Sequence, residues 1–132
     1  MTPAELESFL DGYCEAMVWA NVSYGSNGRS TRSEDVSDLS AETVRLMRED
    51  AAVFASTPKI TALLNRAVAG DRYSWRSAGF DYAMARNGHG VGFHDRGIDG
   101  GSELYALAQG EDRRYLYADQ GQHPLEWVYE PW

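Results

Sequence analysis

Within residues 81–96 four side chains could do chemistry together: Asp81, His89, His94 and Asp95. Histidine titrates near neutral pH, and beside a carboxylate it can act as a general base or ligate a metal. Arg86 and Arg96 bracket this set, with Asn87, Gly88, Gly90 and Gly92 between them. A plainer reading needs no chemistry: Asp81 and Asp95 pair with Arg86 and Arg96 across neighbouring strands, and His89 hydrogen-bonds within a turn. The three glycines could cradle a phosphate through exposed amides, but phosphate loops run into a helix N-terminus, whereas here the pattern leads into a strand and no Lys adjoins the glycines. Arg86 and Arg96 could hold an anion between them, although each has a carboxylate nearby. The candidate catalytic residues are therefore Asp81, His89, His94 and Asp95. The candidate binding residues are Arg86, Asn87, Gly88, His89, Gly90 and Arg96, and the pattern calls for no metal and no cofactor.

What must position these groups is a β-hairpin. Phe80, Tyr82 and Met84 alternate with Asp81, Ala83 and Ala85, and Val91 and Phe93 alternate with Gly92 and His94 on the far side of Asn87-Gly88-His89-Gly90. Asn-Gly is a strong hairpin-turn signal because the tight turn needs positive φ. Such a hairpin puts Asp81 and His94 on one face of adjacent strands. Gly90 and Gly92 then predict a bulge or a close approach to the backbone.

The rest of the chain supplies the platform. Thr2-Pro3-Ala4-Glu5 is a capping box with Pro at the first helical position, and Leu6, Phe9, Leu10, Tyr13 and Met17 recur at helical spacing, so a helix runs to Trp19 or Ala20. Residues 21–38 hold five serines and two glycines and predict a long loop, either a binding element or disordered. Ser40 caps a second helix lined by Val44, Met47, Ala51 and Phe54, and Thr57-Pro58 starts a third with Ile60, Leu63, Leu64 and Ala67, ended by Gly70. Asp71 to Ser77 is a polar connection anchored by Tyr73 and Trp75. After the hairpin, Ser102 caps a short helix, and Tyr115-Leu116-Tyr117 and Leu125 to Tyr129 are strands about a turn at Asp119-Gln120-Gly121-Gln122. The expectation is a single α+β domain, 1–132. Three N-terminal helices, 1–70, precede an antiparallel sheet of about four strands (ββαββ) with one short helix, 71–132.

Composition bounds the function. A chain of 132 residues is long enough to bury one core without disulfides or a structural metal. Net charge is −8, which argues against direct nucleic-acid binding through phosphate neutralisation. Residues 1–55 carry ten acidic against four basic side chains, so most of the negative field lies in the helical half. The single cysteine, Cys14, falls in an apolar helical pattern and reads as a small buried residue in a reducing compartment. No apolar run is long enough to span a membrane, and the N-terminus opens on a helix cap instead of a signal-peptide pattern.

The combination Asp81, Tyr82, Arg86, Asn87, Gly88, His89, Gly90, Gly92, Phe93, Asp95 and Arg96 resembles the R-N-G-H-G-x-G-F-x-D-R signature of a family of small uncharacterised bacteriophage and prophage proteins. The segments Phe9 to Trp19, Leu39 to Asp50 and Tyr115 to Gly121 are similar to that family as well. Two departures stand out: an aromatic commonly follows the core Phe where this chain has His94, and the segment after Asp112 is longer and ends in L-E-W-V-Y-E-P-W. The resemblance implies a phage or prophage origin and a life in the cytoplasm of the bacterial host.

The expected function is to bind a host or phage macromolecule, in the first place a protein, with acidic helices mimicking a phosphate backbone; a merely solvated helix face would carry the same charges. The alternative is a small hydrolase or nuclease-like enzyme with its His/Asp site on the 80–96 hairpin, and a third possibility is a virion or assembly accessory. Of the aromatics, Trp19 and Trp127 are expected in the core, and Trp132, behind Pro131, as an exposed anchor.

Overall fold

At the N-terminus the Glu5 amide donates to Thr2 Oγ1 at 3.1 Å while the Thr2 amide donates to Glu5 Oε1 at 2.7 Å, the reciprocal cap from which helix α1 (Pro3–Ala20) starts. The computed structural model describes residues 1–20, 23–24, 30–31, 36–70, 72–118 and 127–131. After α1 come a small antiparallel ribbon, β1 (Ser23–Tyr24) with β2 (Ser30–Thr31), and a 3₁₀ turn, Val36–Asp38. Helices α2 (Ala41–Ala55) and α3 (Pro58–Val68) follow, the first capped by the Ser40 side chain, which accepts from the Thr43 amide, and the second opened by Pro58. Two further helices, α4 (Trp75–Arg86) and α5 (Gly101–Gln109), flank a second 3₁₀ turn, Phe93–Asp95. Strands β3 (Arg114–Ala118) and β4 (Trp127–Pro131) then pair antiparallel, with Leu116 opposite Tyr129. No described helix is long and apolar enough to cross a membrane.

The architecture is mainly helical, and this corrects the expected α+β fold with an antiparallel sheet of about four strands. The decisive segment is 75–86: the first arm of the expected hairpin is helix α4. Ser74 caps it, accepting from the Ser77 amide at 3.0 Å. Beyond its end the His89 amide donates to Met84 O at 3.0 Å and the Gly88 amide to Ala85 O at 3.3 Å, a Schellman motif. Gly88 has φ of 72°, so the Asn-Gly pair meets a demand for left-handed backbone that a helix end and a hairpin turn share. The second arm is no strand either, because Phe93 enters a 3₁₀ turn and is fully buried.

Helix α4 is hard to recognise because it lies in the middle of the molecule. Asp81, Tyr82, Ala83, Met84, Ala85 and Arg86 are all buried, so there is no polar stripe to betray a period of 3.6. Tyr82 stacks on Phe54 with ring centroids 4.0 Å apart and meets Tyr13 at 5.2 Å and Phe9 at 5.9 Å, joining α1, α2 and α4. Each such aromatic pair contributes about 0.5–1.5 kcal/mol beyond area burial. Helices α1 and α4 touch backbone to backbone: a Cβ on Gly79 would lie 1.8 Å from Phe9 O, and one on Gly12 1.9 Å from Arg76 O. Only glycine permits that approach.

Three local expectations also shift. Helix α5 begins at Gly101 behind Gly100 (φ 77°), so Ser102 lies inside its first turn instead of capping it. Trp75 belongs to α4 and not to a polar connection, and its indole donates to Glu5 at 2.8 Å. Trp19 is no core residue: it is 58% exposed, its ring 5.8 Å from Phe80. Most of the expected loop 21–38, the turn at 119–122, Leu125 and Trp132 lie outside the described residues.

Candidate functional site

The four residues first considered for catalysis have separate duties. Asp81 is fully buried on α4 and receives Arg96 twice, from Nη2 to Oδ1 at 2.9 Å and from Nε to Oδ2 at 3.1 Å, while Tyr73 donates to Oδ2 at 2.6 Å. This carboxylate is saturated. Burial, and then the charge of Asp81, push the Tyr73 phenol up, so it stays a donor. Asp95 Oδ1 accepts from the Gly92 amide at 3.3 Å and closes its own turn. His94 is exposed and lies against Tyr105 with ring centroids 3.8 Å apart, and His89 is exposed at the Schellman end of α4. Among the described residues no hydrogen bond joins either histidine to Asp81 or Asp95. Nor does any group of three His, Cys, Asp or Glu among them form a metal-binding cluster.

The glycines do not cradle an anion. The Gly88 and His89 amides are consumed by α4 carbonyls, and they sit at the negative end of that helix's dipole. Gly90 and Gly92 have positive φ and shape the descent to Phe93. Asn87 acts as a tether: its Oδ1 accepts from the Arg114 amide at 2.9 Å and its Nδ2 donates to Met17 Sδ at 3.3 Å.

Arg86 turns out to be the hub of a buried network that its sequence neighbours do not announce. Its Nη1 donates to Asp50 Oδ2 at 2.6 Å and its Nε to Asp112 O at 2.7 Å, with its guanidinium 5.5 Å from the centre of the Tyr82 ring. Tyr129 donates to the same Asp50 oxygen, the Tyr129 and Tyr13 hydroxyls are 2.5 Å apart, and Arg114 Nε lies 3.4 Å from Asp50. Burial works to raise the Asp50 carboxyl, but the hydrogen bonds from Arg86 and Tyr129 prevail and hold it below the usual carboxylate range. Tyr13 is pushed up to about 12, chiefly by burial. Among the described residues no buried side-chain nitrogen or oxygen lacks a hydrogen-bond partner. The network therefore fastens α1, α2, α4 and the β3–β4 ribbon together.

Among the described residues, the α1–α2 edge gathers exposed carboxylates around two arginines. Arg48, only 24% exposed, reaches from α2 to α1, bonding Asp11 at 3.0 Å and Glu7. Above it Glu7 and Asp11 are 64% and 52% exposed. On α2, Arg45 is bonded by Glu42 at 2.5 Å and by Glu49 at 2.6 Å, with those carboxylates 64% and 62% exposed. The Arg45 hydrogen bonds hold the Glu42 carboxyl below its ordinary value. Each arginine thus serves two carboxylates, so both clusters keep a net negative charge. The other acids of α1 are committed elsewhere, Glu5 to its cap and Trp75, and Glu15 to Arg76. The spacing of Glu7 with Asp11 and of Glu42 with Glu49 is visible in the sequence; that Arg48 spans two helices is not.

Comparison with protein-family models, curated proteins and solved structures returns no match.

Proposed function

We propose that this chain is a small acidic protein of phage or prophage origin that works by binding a host or phage protein in the cytoplasm of the bacterial host, offering carboxylates where that partner would meet phosphates. What supports the reading is the two-to-one clustering of Glu7 and Asp11 on Arg48 and of Glu42 and Glu49 on Arg45. A solvated helix face needs only scattered charges. Here each arginine draws two exposed carboxylates together, which gives a negative surface that steers a basic one. The excess of acidic residues in 1–55, ten against four, extends the field beyond the contact itself.

The test is capture from a lysate of the bacterial host, with the native chain set against a Glu7→Gln/Asp11→Asn/Glu42→Gln/Glu49→Gln variant whose helical circular dichroism matches it. A specific protein retained by the native chain, released by high salt and missing from the variant, is the expected result. Identical captured sets from both, or no specific capture by the native chain, would sink the proposal.

A further inference from the structure

Beside the carboxylate clusters an open groove of about 600 Å³ lies between the first 3₁₀ turn and α2. Val36, Leu39, Ala41 and Val44 give it an apolar lining, and Arg45, Arg48 and Glu49 line it with charge. Those arginines are the same two that hold Glu42, Glu49, Glu7 and Asp11, so the apolar lining and the acidic array are contiguous. Val36 and Val44 are half-buried, leaving apolar surface that a ligand could cover.

An apolar trough whose two lining arginines are each paired with two carboxylates, Glu49 alone of those four lining it, carries a net negative surround and is complementary to a segment with apolar side chains along one side and Lys or Arg along the other. A second copy of this chain is a poor occupant, because it would bring a charge of −8 against −8. A nucleic acid is poorer still. We propose that the groove seats a basic amphipathic segment of the partner protein: an apolar side chain enters between Val36 and Val44 while flanking cations meet the carboxylates of Glu42, Glu49, Glu7 and Asp11. This rests on the acidic-surface reading and adds to it the shape of the partner.

Two synthetic peptides of equal length and charge separate the two ideas, one an amphipathic Leu/Lys helix and the other its Ser/Lys counterpart. Calorimetric titration of the native chain is expected to show the Leu/Lys peptide binding about tenfold more tightly, the increment of one buried leucine. Val44→Ser and Val36→Ser, tested separately so that one misfolded variant does not decide the matter, should each erase most of that increment and leave Ser/Lys binding unchanged. The quadruple carboxylate variant should lose both peptides. Equal affinity of the native chain for both peptides, or valine variants that bind Leu/Lys as the native chain does, would overturn the groove while the acidic surface stands. If neither peptide binds the native chain, both readings fall.

Discussion

Helix α1 has two seams, and they are held by opposite means. Against α4 the seam is one of shape: Gly12 and Gly79 let backbone lie on backbone, and Phe9 and Tyr13 close over Tyr82. Along its outer edge with α2 the seam is one of charge, with Arg48 stretched between Glu7 and Asp11. Shape contacts are short-ranged and intolerant of an added atom, whereas exposed charge contacts are soft, screened by salt and replaceable. The rigid seam therefore sets the fold, and the soft one is free to serve recognition.

Loading both glycines of the tight seam should break it outright. Gly12→Ala with Gly79→Ala sets two Cβ atoms against carbonyl oxygens and is expected to cost about 5 kcal/mol, taking each overlap near the upper end for overpacking. That is comparable with the whole stability of a small domain, so soluble yield and the thermal midpoint should both collapse. A double variant that melts like the native chain would refute the backbone contact. Next in size is the junction where the seams meet. Arg86→Met leaves Asp50 half-covered without its principal cation, a loss of about 3 kcal/mol or a fall of about 10 °C in the thermal midpoint.

The same junction should respond to pH at both extremes. Tyr13 is raised from 10.0 to about 12, so the stability it contributes is complete below pH about 10 and disappears as pH rises towards 12, a loss of about 2–3 kcal/mol. Asp50 runs the other way. Its carboxyl is lowered, so its contribution is present above the unfolded value near 4 and is lost as pH falls through the lower folded one. Denaturant titrations across pH, with Tyr13→Phe and Asp50→Asn as comparators, measure both; unchanged profiles in those variants would assign the titration elsewhere. The smallest effect belongs to the soft seam: Arg48→Ala should cost no more than about 1 kcal/mol, and the difference from the native chain should shrink in about 1 M salt. A larger, salt-independent loss would mean that Arg48 is structural and would remove the contrast between the seams.

Where local chemistry decides, the chain is legible. The Thr2–Glu5 cap, the Ser40 cap and the apolar stripes of α2 and α3 are satisfied by near neighbours, so sequence spacing contains the needed information. Segment 75–86 is illegible for a physical reason: its second half, residues 81–86, is buried all round and shows no amphipathic period, and Phe80, Tyr82 and Met84 imitate the alternation of a strand. The Asn87-Gly88 pair then points equally to a helix end and to a hairpin. Ser74 and Ser77 at its start, and the spacing of Trp75, Gly79, Tyr82 and Arg86, were the available signs of a helix. The candidate site shared this fate. Asp81 and Arg96 are partners fifteen residues apart, but Arg86 finds Asp50 from thirty-six positions away, a pairing that only the packing of α2 on α4 creates.

Because the second half of α4 is enclosed by its neighbours, its peptide hydrogens are shielded twice, by their own helix bonds and by the bodies packed around them. Amides from Tyr82 to Ala85 should exchange with deuterated solvent only when the entire molecule opens, whereas those of the exposed α2 edge should exchange through local fraying. The segment with the least helix-like pattern is thus expected to be the slowest clock in the protein.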